Sequence, residues 1–249
     1  MKKVLLFGGT TESHELADFL LDEGCAVTLS VTSQYAADFI KPAERLKVKI
    51  GRMSTDDMAK FISEQEMDFV IDATHPYAAE ATANIKQAAK LSGVKYLRFL
   101  RGESDTDGFA CCSDVAQAAQ LLTEAEGNIL IATGSKELEK YAVYPELIDR
   151  CVVRVLPTAE AIEKCARLGF KMENVIAMQG PFSEQMNAAV FDKYDIKVMV
   201  TKDGGKAGGF AEKAAAAKHC GVAVIVVRRP EDKGLTMSEI KAEIKSDLI

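Results

Sequence analysis

Short apolar runs alternate with helical patterns almost throughout this chain, and the joints between them are small turns rich in glycine and hydroxyl side chains. That alternation is what most limits the fold: it calls for an α/β architecture built on parallel strands. The opening shows the pattern most clearly. Val4-Leu5-Leu6-Phe7 is a continuous apolar run, Gly8-Gly9-Thr10-Thr11-Glu12 follows at once, and Ser13 to Leu21 carries apolar residues at helical spacing. A buried strand, a Gly/Thr turn and a helix start are the parts of a phosphate-cradling βα unit. Adjacent glycines let the backbone approach a ligand, and the helix start offers unpaired N–H groups and a positive dipole end to an anion.

The same alternation continues down the chain. Strands are expected at Ala26 to Val31, Leu46 to Ile50, Asp68 to Asp72 and Tyr96 to Phe99. Helices are expected to open at Ser33-Gln34, at Ser54-Thr55-Asp56-Asp57, and over Ala78 to Leu91 with Pro76 in its first turn. Residues 1–100 therefore read as a nucleotide-binding α/β domain of roughly five strands. Arg101 to Gly108 is polar, charged and glycine-flanked, as a linker would be. The pattern then starts again, with strands at Asn128 to Ala132, Arg150 to Leu156, Val175 to Met178, Lys197 to Val200 and Val222 to Val227. Residues 101–249 read as a second α/β domain, whose last helix, from Met237, is able to pack back on the first. The expected fold is α/β: two doubly wound Rossmann-like domains with mostly parallel sheets and a ligand cleft between them.

Composition narrows the function classes. A net charge of −6 over 249 residues argues against nucleic acid or an anionic membrane as the main partner. No apolar run approaches the ~20 residues of a membrane span, and the opening run is too short for a signal-peptide core, so a cytoplasmic protein is expected. Cys25, Cys111, Cys112, Cys151, Cys165 and Cys220 form no Cys-x-x-Cys pair and read as reduced, mostly buried thiols. His14, His75 and His219 lie far apart, so no metal site is expected. His219-Cys220 reads as packing, and Arg228-Arg229-Pro230 as a solvated strand exit.

Five turns at strand ends carry the candidate chemistry. The first is Gly8 to Glu12. It lacks the full Gly-x-Gly-x-x-Gly fingerprint, and no acid follows about twenty residues on to hold a ribose 2′-hydroxyl. The second strand ends instead in Ser30-Val31-Thr32-Ser33, a neutral hydroxyl-rich stretch that favours NADP over NAD and makes Ser33 a candidate cofactor contact. The second turn, Asp72-Ala73-Thr74-His75-Pro76-Tyr77, crowds polar groups where a strand meets a helix. Helix capping by Asp72 or Thr74 is the plain alternative to a ligand-facing role. The third is the glycine-rich stretch Thr201 to Gly209, where backbone amides with Lys202 and Lys206 suit a phosphate or carboxylate. Thr133-Gly134-Ser135 and Gln179-Gly180-Pro181-Phe182 repeat the design at two further strand ends.

Taken together, these motifs resemble those of the precorrin-6A reductase family, including its cobalt-precorrin-6A counterpart, from corrin (vitamin B12) biosynthesis. The match rests on Gly8-Gly9-Thr10-Thr11-Glu12, Asp72-Ala73-Thr74-His75-Pro76-Tyr77-Ala78, Tyr96-Leu97-Arg98, Gln179-Gly180-Pro181-Phe182, and Thr201-Lys202-Asp203 with Gly208-Gly209. The resemblance implies reduction of a ring double bond in a tetrapyrrole by NADPH, with NADH as the alternative donor. It implies that Gly8, Gly9, Thr10, Thr11 and Glu12 line the nicotinamide nucleotide, with Asp72, Thr74, His75 and Tyr77 near the nicotinamide and ring. Arg98, Lys202 and Lys206 become partners for substrate carboxylates, and Gly134, Ser135 and Gly180 further substrate contacts. His75, Tyr77 and Lys202 are the candidate proton donors by type. Two departures stand out: Ser13-His14 where the family often has a small residue then arginine, and Arg101-Gly102-Glu103 where it has arginine-proline-tryptophan.

Rival readings are a short-chain dehydrogenase, another tetrapyrrole-pathway enzyme on this fold, and a non-catalytic nicotinamide-nucleotide sensor. The first needs a Tyr-x-x-x-Lys pair, and none of the six tyrosines has lysine four residues on. The sequence leaves the oligomeric state open.

Overall fold

The computed structural model describes residues 1–102, 104–205 and 208–248. The chain divides into two compact units, one made of Met1–Gly102 with Pro230–Ile249 and the other of Glu103–Arg229. The second unit therefore stops at Arg229 instead of running to residue 249, and the chain passes between units twice.

The first unit contains β1 (Lys3–Phe7), α1 (Thr11–Asp22), β2 (Ala26–Val31), α2 (Gln34–Ala37), β3 (Leu46–Ile50), α3 (Thr55–Glu64), β4 (Phe69–Asp72), α4 (Ala79–Leu91) and β5 (Lys95–Arg98). Its strands form one parallel sheet in the order β3-β2-β1-β4-β5. Alternation along β1 explains the layers: Val4 and Leu6 join a core with Leu16, Leu20 and Leu29, while Leu5 and Phe7 join one with Met58, Ile62, Ile85 and Ala88. Helices thus cover both faces, which is why the strands read as unbroken apolar runs.

The second unit contains β6 (Ala110–Cys112), α5 (Val115–Thr123), β7 (Asn128–Ala132), α6 (Glu139–Ala142), α7 (Pro145–Ile148), β8 (Cys151–Val155), α8 (Ala159–Arg167), β9 (Val175–Ala177), α9 (Glu184–Lys193), β10 (Ile196–Lys202), α10 (Phe210–Cys220) and β11 (Ala223–Val227). These strands also pair in parallel, in the order β6-β11-β10-β7-β8-β9. The edge strand β6 occupies residues the sequence left between linker and helix; three residues are too short to show a period.

After β11 the chain returns to the first unit. Gly234 allows this, because a Cβ there would lie 2.6 Å from the Arg98 carbonyl oxygen. Leu235 N–H donates to Arg98 O and Leu100 N–H to Leu235 O, at 2.8 and 2.9 Å. The final helix α11 (Met237–Leu248) then buries Ile240 and Ile244 in the core that holds Leu6 and Leu16. Burying two such side chains contributes about 1.5–3 kcal/mol each. Both units are α/β with parallel sheets of Rossmann-like topology. Among the described residues no helix is long and apolar enough to cross a membrane.

Some local expectations are corrected. Pro76 sits in a turn ahead of α4, whose first residue is Ala79, so it does not start that helix. After Thr133 the chain forms two short helices, α6 and α7, split before Pro145. His219 and Cys220 are exposed at the end of α10 rather than packed.

Candidate functional site

In the first unit the strand order reverses between β1 and β4, and ligands of such sheets bind beyond the strand carboxyl ends at that point. The turn after β1 and the turn after β4 therefore meet there: Gly8 N–H reaches Ser30 O at 3.0 Å, and Ala73 N–H reaches Phe7 O at 2.8 Å. The topology brings together Gly8, Gly9, Thr10, Thr11 and Glu12 with Asp72, Thr74, His75 and Tyr77. Ser33, past the end of neighbouring β2, caps α2 by accepting from Ala36 N–H at 3.3 Å.

The first turn is organised by Ser13, which is fully buried. Its Oγ accepts from Gly9 N–H at 2.9 Å and Thr10 N–H at 3.0 Å, and donates to Thr10 O at 2.7 Å. Gly8 makes room for it, since a Cβ at position 8 would lie 2.2 Å from the Ser13 Cβ. Gly8 is thus explained by helix-on-strand packing, and the Gly9 and Thr10 amides are already engaged by protein. Arg101 Nε bonds Glu12 Oε1 at 2.8 Å, both groups mostly buried. Among the described residues three buried polar atoms of this turn have no partner: Thr10 Oγ1, Glu12 Oε2 and His14 Nε2.

Asp72 and Arg98 face each other and not solvent. They are register partners on adjacent strands, 0% and 4% exposed. Asp72 Oδ1 accepts from Arg98 Nη1 at 3.0 Å, Thr74 N–H at 2.9 Å and Thr74 Oγ1 at 2.7 Å; its Oδ2 accepts from Tyr96 Oη at 3.1 Å. Arg98 Nη1 also reaches Thr74 O at 3.1 Å, and its Nε pairs with Asp232 at 2.8 Å. Burial, with the Asp72 charge beside it, pushes the Tyr96 hydroxyl pKa well above its ordinary value. Asp72 does not cap α4 and Arg98 is not a surface cation; together they set the turn that presents His75 and Tyr77. There Tyr77 N–H donates to His75 Nδ1 at 3.4 Å, with the rings 5.4 Å apart. With Nδ1 accepting, a neutral His75 ring carries its proton on Nε2.

The second unit has its own reversal, between β7 and β10. Gly134 and Ser135 follow one strand and Lys202 ends the other, half-buried, with Nζ on Glu137 Oε2 at 2.8 Å. Burial alone would raise the Glu137 pKa; hydrogen bonds from Lys202 and Lys140 outweigh it and hold the carboxyl below its usual range. Beside them Asp203, buried, takes Arg229 Nη2 at 2.6 Å and Nε at 2.9 Å. Burial works to raise its pKa, and the Ser104 and Arg229 hydrogen bonds reverse that. Arg229 is thus an internal ion-pair partner, not a solvated exit. Gly180 lies half-buried after β9. Lys206 lies outside the described residues.

The sequence gives no role to Glu137 or Asp232 and none to Ser13 in holding the turn. Ser13 had a signal, five residues after Gly8, the glycine that leaves room for it. Glu137 and Asp232 had none, because their partners are 65 and 134 residues away.

Comparison with known proteins follows the same lines. The family model "Precorrin-6x reductase CbiJ/CobK" matches residues 3–245. The chain belongs to the precorrin-6x reductase family. It is 37% identical over 232 residues to the cobalt-precorrin-6A reductase of Priestia megaterium, covering 92% of this chain and 91% of that one. To the precorrin-6A reductase of a Sinorhizobium species it is 29% identical, covering 92% and 87%. A solved structure, CobK precorrin-6A reductase, superposes with a TM-score of 0.79 at 25% identity, covering 99% of this chain and 97% of that one. Membership of the precorrin-6x reductase family makes the chain an oxidoreductase of the cobalamin pathway.

Proposed function

We propose that the chain reduces a ring double bond of precorrin-6A, or of its cobalt form, to the dihydro level with NADPH, NADH being the alternative donor. The observation that carries this reading is the trio of buried, unpartnered atoms at the β1–α1 turn, at the reversal point of a family member's sheet. Thr10 Oγ1 and His14 Nε2 suit phosphate or ribose oxygens, and Glu12 Oε2 suits a ribose hydroxyl. The residues therefore fit a nicotinamide dinucleotide. Because Ser13 engages the Gly9 and Thr10 amides, the first-turn amides of Thr11 and Glu12 are the ones a phosphate would use.

The cofactor, when bound, supplies hydride to one ring carbon. The chain must orient the two partners, exclude water and deliver a proton to the neighbouring carbon. The Asp72–Arg98 pair holds the Thr74–Tyr77 turn, and His75 Nε2–H on that turn is the proton source we favour. Lys202, paired with Glu137, and Tyr77 are the other candidates. Gly134, Ser135 and Gly180 are the further residues we assign to the ring.

The test is direct. NADPH or NADH is mixed with precorrin-6A and, separately, with cobalt-precorrin-6A, and nicotinamide absorbance is followed. Oxidation with one of the rings is the expected result. Nucleotide binding with no ring reduced would leave a sensor. His75→Ala is expected to lower kcat by about 10²–10⁴ if His75 donates the proton, with the melting temperature little changed.

A further inference from the structure

The second unit holds two buried cations that the reaction above does not use. Arg154, at the end of β8, is 5% exposed, and Lys213, in the first turn of α10, is 8% exposed. Among the described residues neither forms an ion pair, and Arg154 Nη2 is buried with no hydrogen-bond partner. The rest of the guanidinium is fixed. Its Nη1 donates to Asn187 Oδ1 at 2.8 Å, and its Cζ lies over the Phe182 ring, 4.2 Å from the centre.

Asn187 is itself fully buried and held by its amide, which donates to Phe182 O at 3.3 Å and Ser183 O at 2.9 Å. A neutral amide thus stands where a carboxylate would have neutralised the arginine. Lys213 Nζ donates to Gly208 O at 2.5 Å, and the turn Pro181-Phe182 packs against Gly209. Burial first, then the Arg154 charge, lowers the Lys213 pKa to about 8; the exposed Glu212 acts the other way without cancelling them. An isolated buried charge costs several kcal/mol, and two of the same sign cost more. An open groove of about 380 Å³ is lined by Pro181, Phe182, Ser183, Glu184, Gln185 and Glu212; it shares Phe182, the ring over Arg154, and Glu212, the neighbour of Lys213 on α10.

We propose that Arg154 and Lys213 form an oxyanion site, with Arg154 Nη2 and the Lys213 ammonium as donors, Phe182 as the stacking wall and Asn187 as the positioning residue. The group bound is a carboxylate or phosphate of the ligand. A substrate carboxylate as the source rests on the function proposed above; the site itself does not.

The test uses the full chain with inorganic phosphate and citrate as probes and melting temperature as the readout. Wild-type protein is expected to melt higher as either anion is added through the millimolar range. Arg154→Met and Lys213→Met are expected to lose that response while keeping the wild-type circular dichroism spectrum. Asn187→Asp, which supplies a built-in carboxylate, should lose it too. No response in wild type, or the same response in Lys213→Met and Arg154→Met, overturns the site whether or not the chain reduces a tetrapyrrole. Two further arms find the source once the site is established. A rise of about tenfold or more in KM for the ring, at unchanged NADPH affinity, assigns a substrate carboxylate; the converse assigns a nucleotide phosphate.

Discussion

At residue scale the turn after β4 hangs on Asp72 and Arg98, a buried ion pair at 3.0 Å. Sequence reasoning gave Asp72 to a cofactor and Arg98 to a substrate carboxylate. They meet each other because β4 and β5 pair in the register Asp72↔Arg98, and register between strands 26 residues apart leaves no local trace. Removing one partner strands the other in a buried place. Asp72→Asn is expected to cost about 3–5 kcal/mol, measured by urea denaturation, and Asp72→Asn with Arg98→Met should cost less than Asp72→Asn alone. Lys213 gives a second expectation. Its folded pKa of about 8 lies below its ordinary 10.5, so the unfolded chain binds more protons in between. Its contribution to stability therefore rises from about pH 8 to about pH 10, and Lys213→Met should remove that slope from denaturation midpoints taken across the range.

At element scale the alternation of apolar runs and helices was enough to recover β1 to β5 and their parallel arrangement, because strands covered on both faces betray themselves by continuous hydrophobicity. What it could not supply was the internal economy of a turn. Gly8-Gly9 looked like backbone cleared for a ligand, yet Gly8 is cleared for Ser13. Gly8→Ala is expected to force β1 and α1 apart and to lower stability by about 1–3 kcal/mol, seen as a lower urea midpoint. The Glu12–Arg101 pair answers one departure from the family pattern: Arg101 is bound inside the first unit. His14, where the family often carries arginine, keeps an unpartnered nitrogen. His14→Arg is expected to tighten NADPH binding, read by fluorescence titration, if Nε2 faces a phosphate.

At the scale of the whole molecule, the repetition of one architecture was legible and the ownership of the last twenty residues only half so. Pro230 announces the end of a strand, but nothing nearby says that Asp232 will find Arg98 or that Leu235 will lie beside Phe99. Deleting residues 230–249 removes Ile240 and Ile244 from the first core and Asp232 from Arg98. Hydrogen exchange of that shortened chain is expected to show fast exchange in β1, β2 and α1 and retained protection in β7, β10 and α10. Equal loss in both units would contradict the division.

The returning tail also sets an order of events during synthesis. The unit whose residues leave the ribosome first waits on the later one, since its core lacks α11 until residues 237–248 have been made. The later unit is contiguous, and Asp203 joins Ser104 near its entry to Arg229 at its exit, so it closes on itself as soon as Arg229 emerges. The half made second has all its residues first, and the β1–α1 turn stays on an unfinished scaffold until Ile240 and Ile244 arrive.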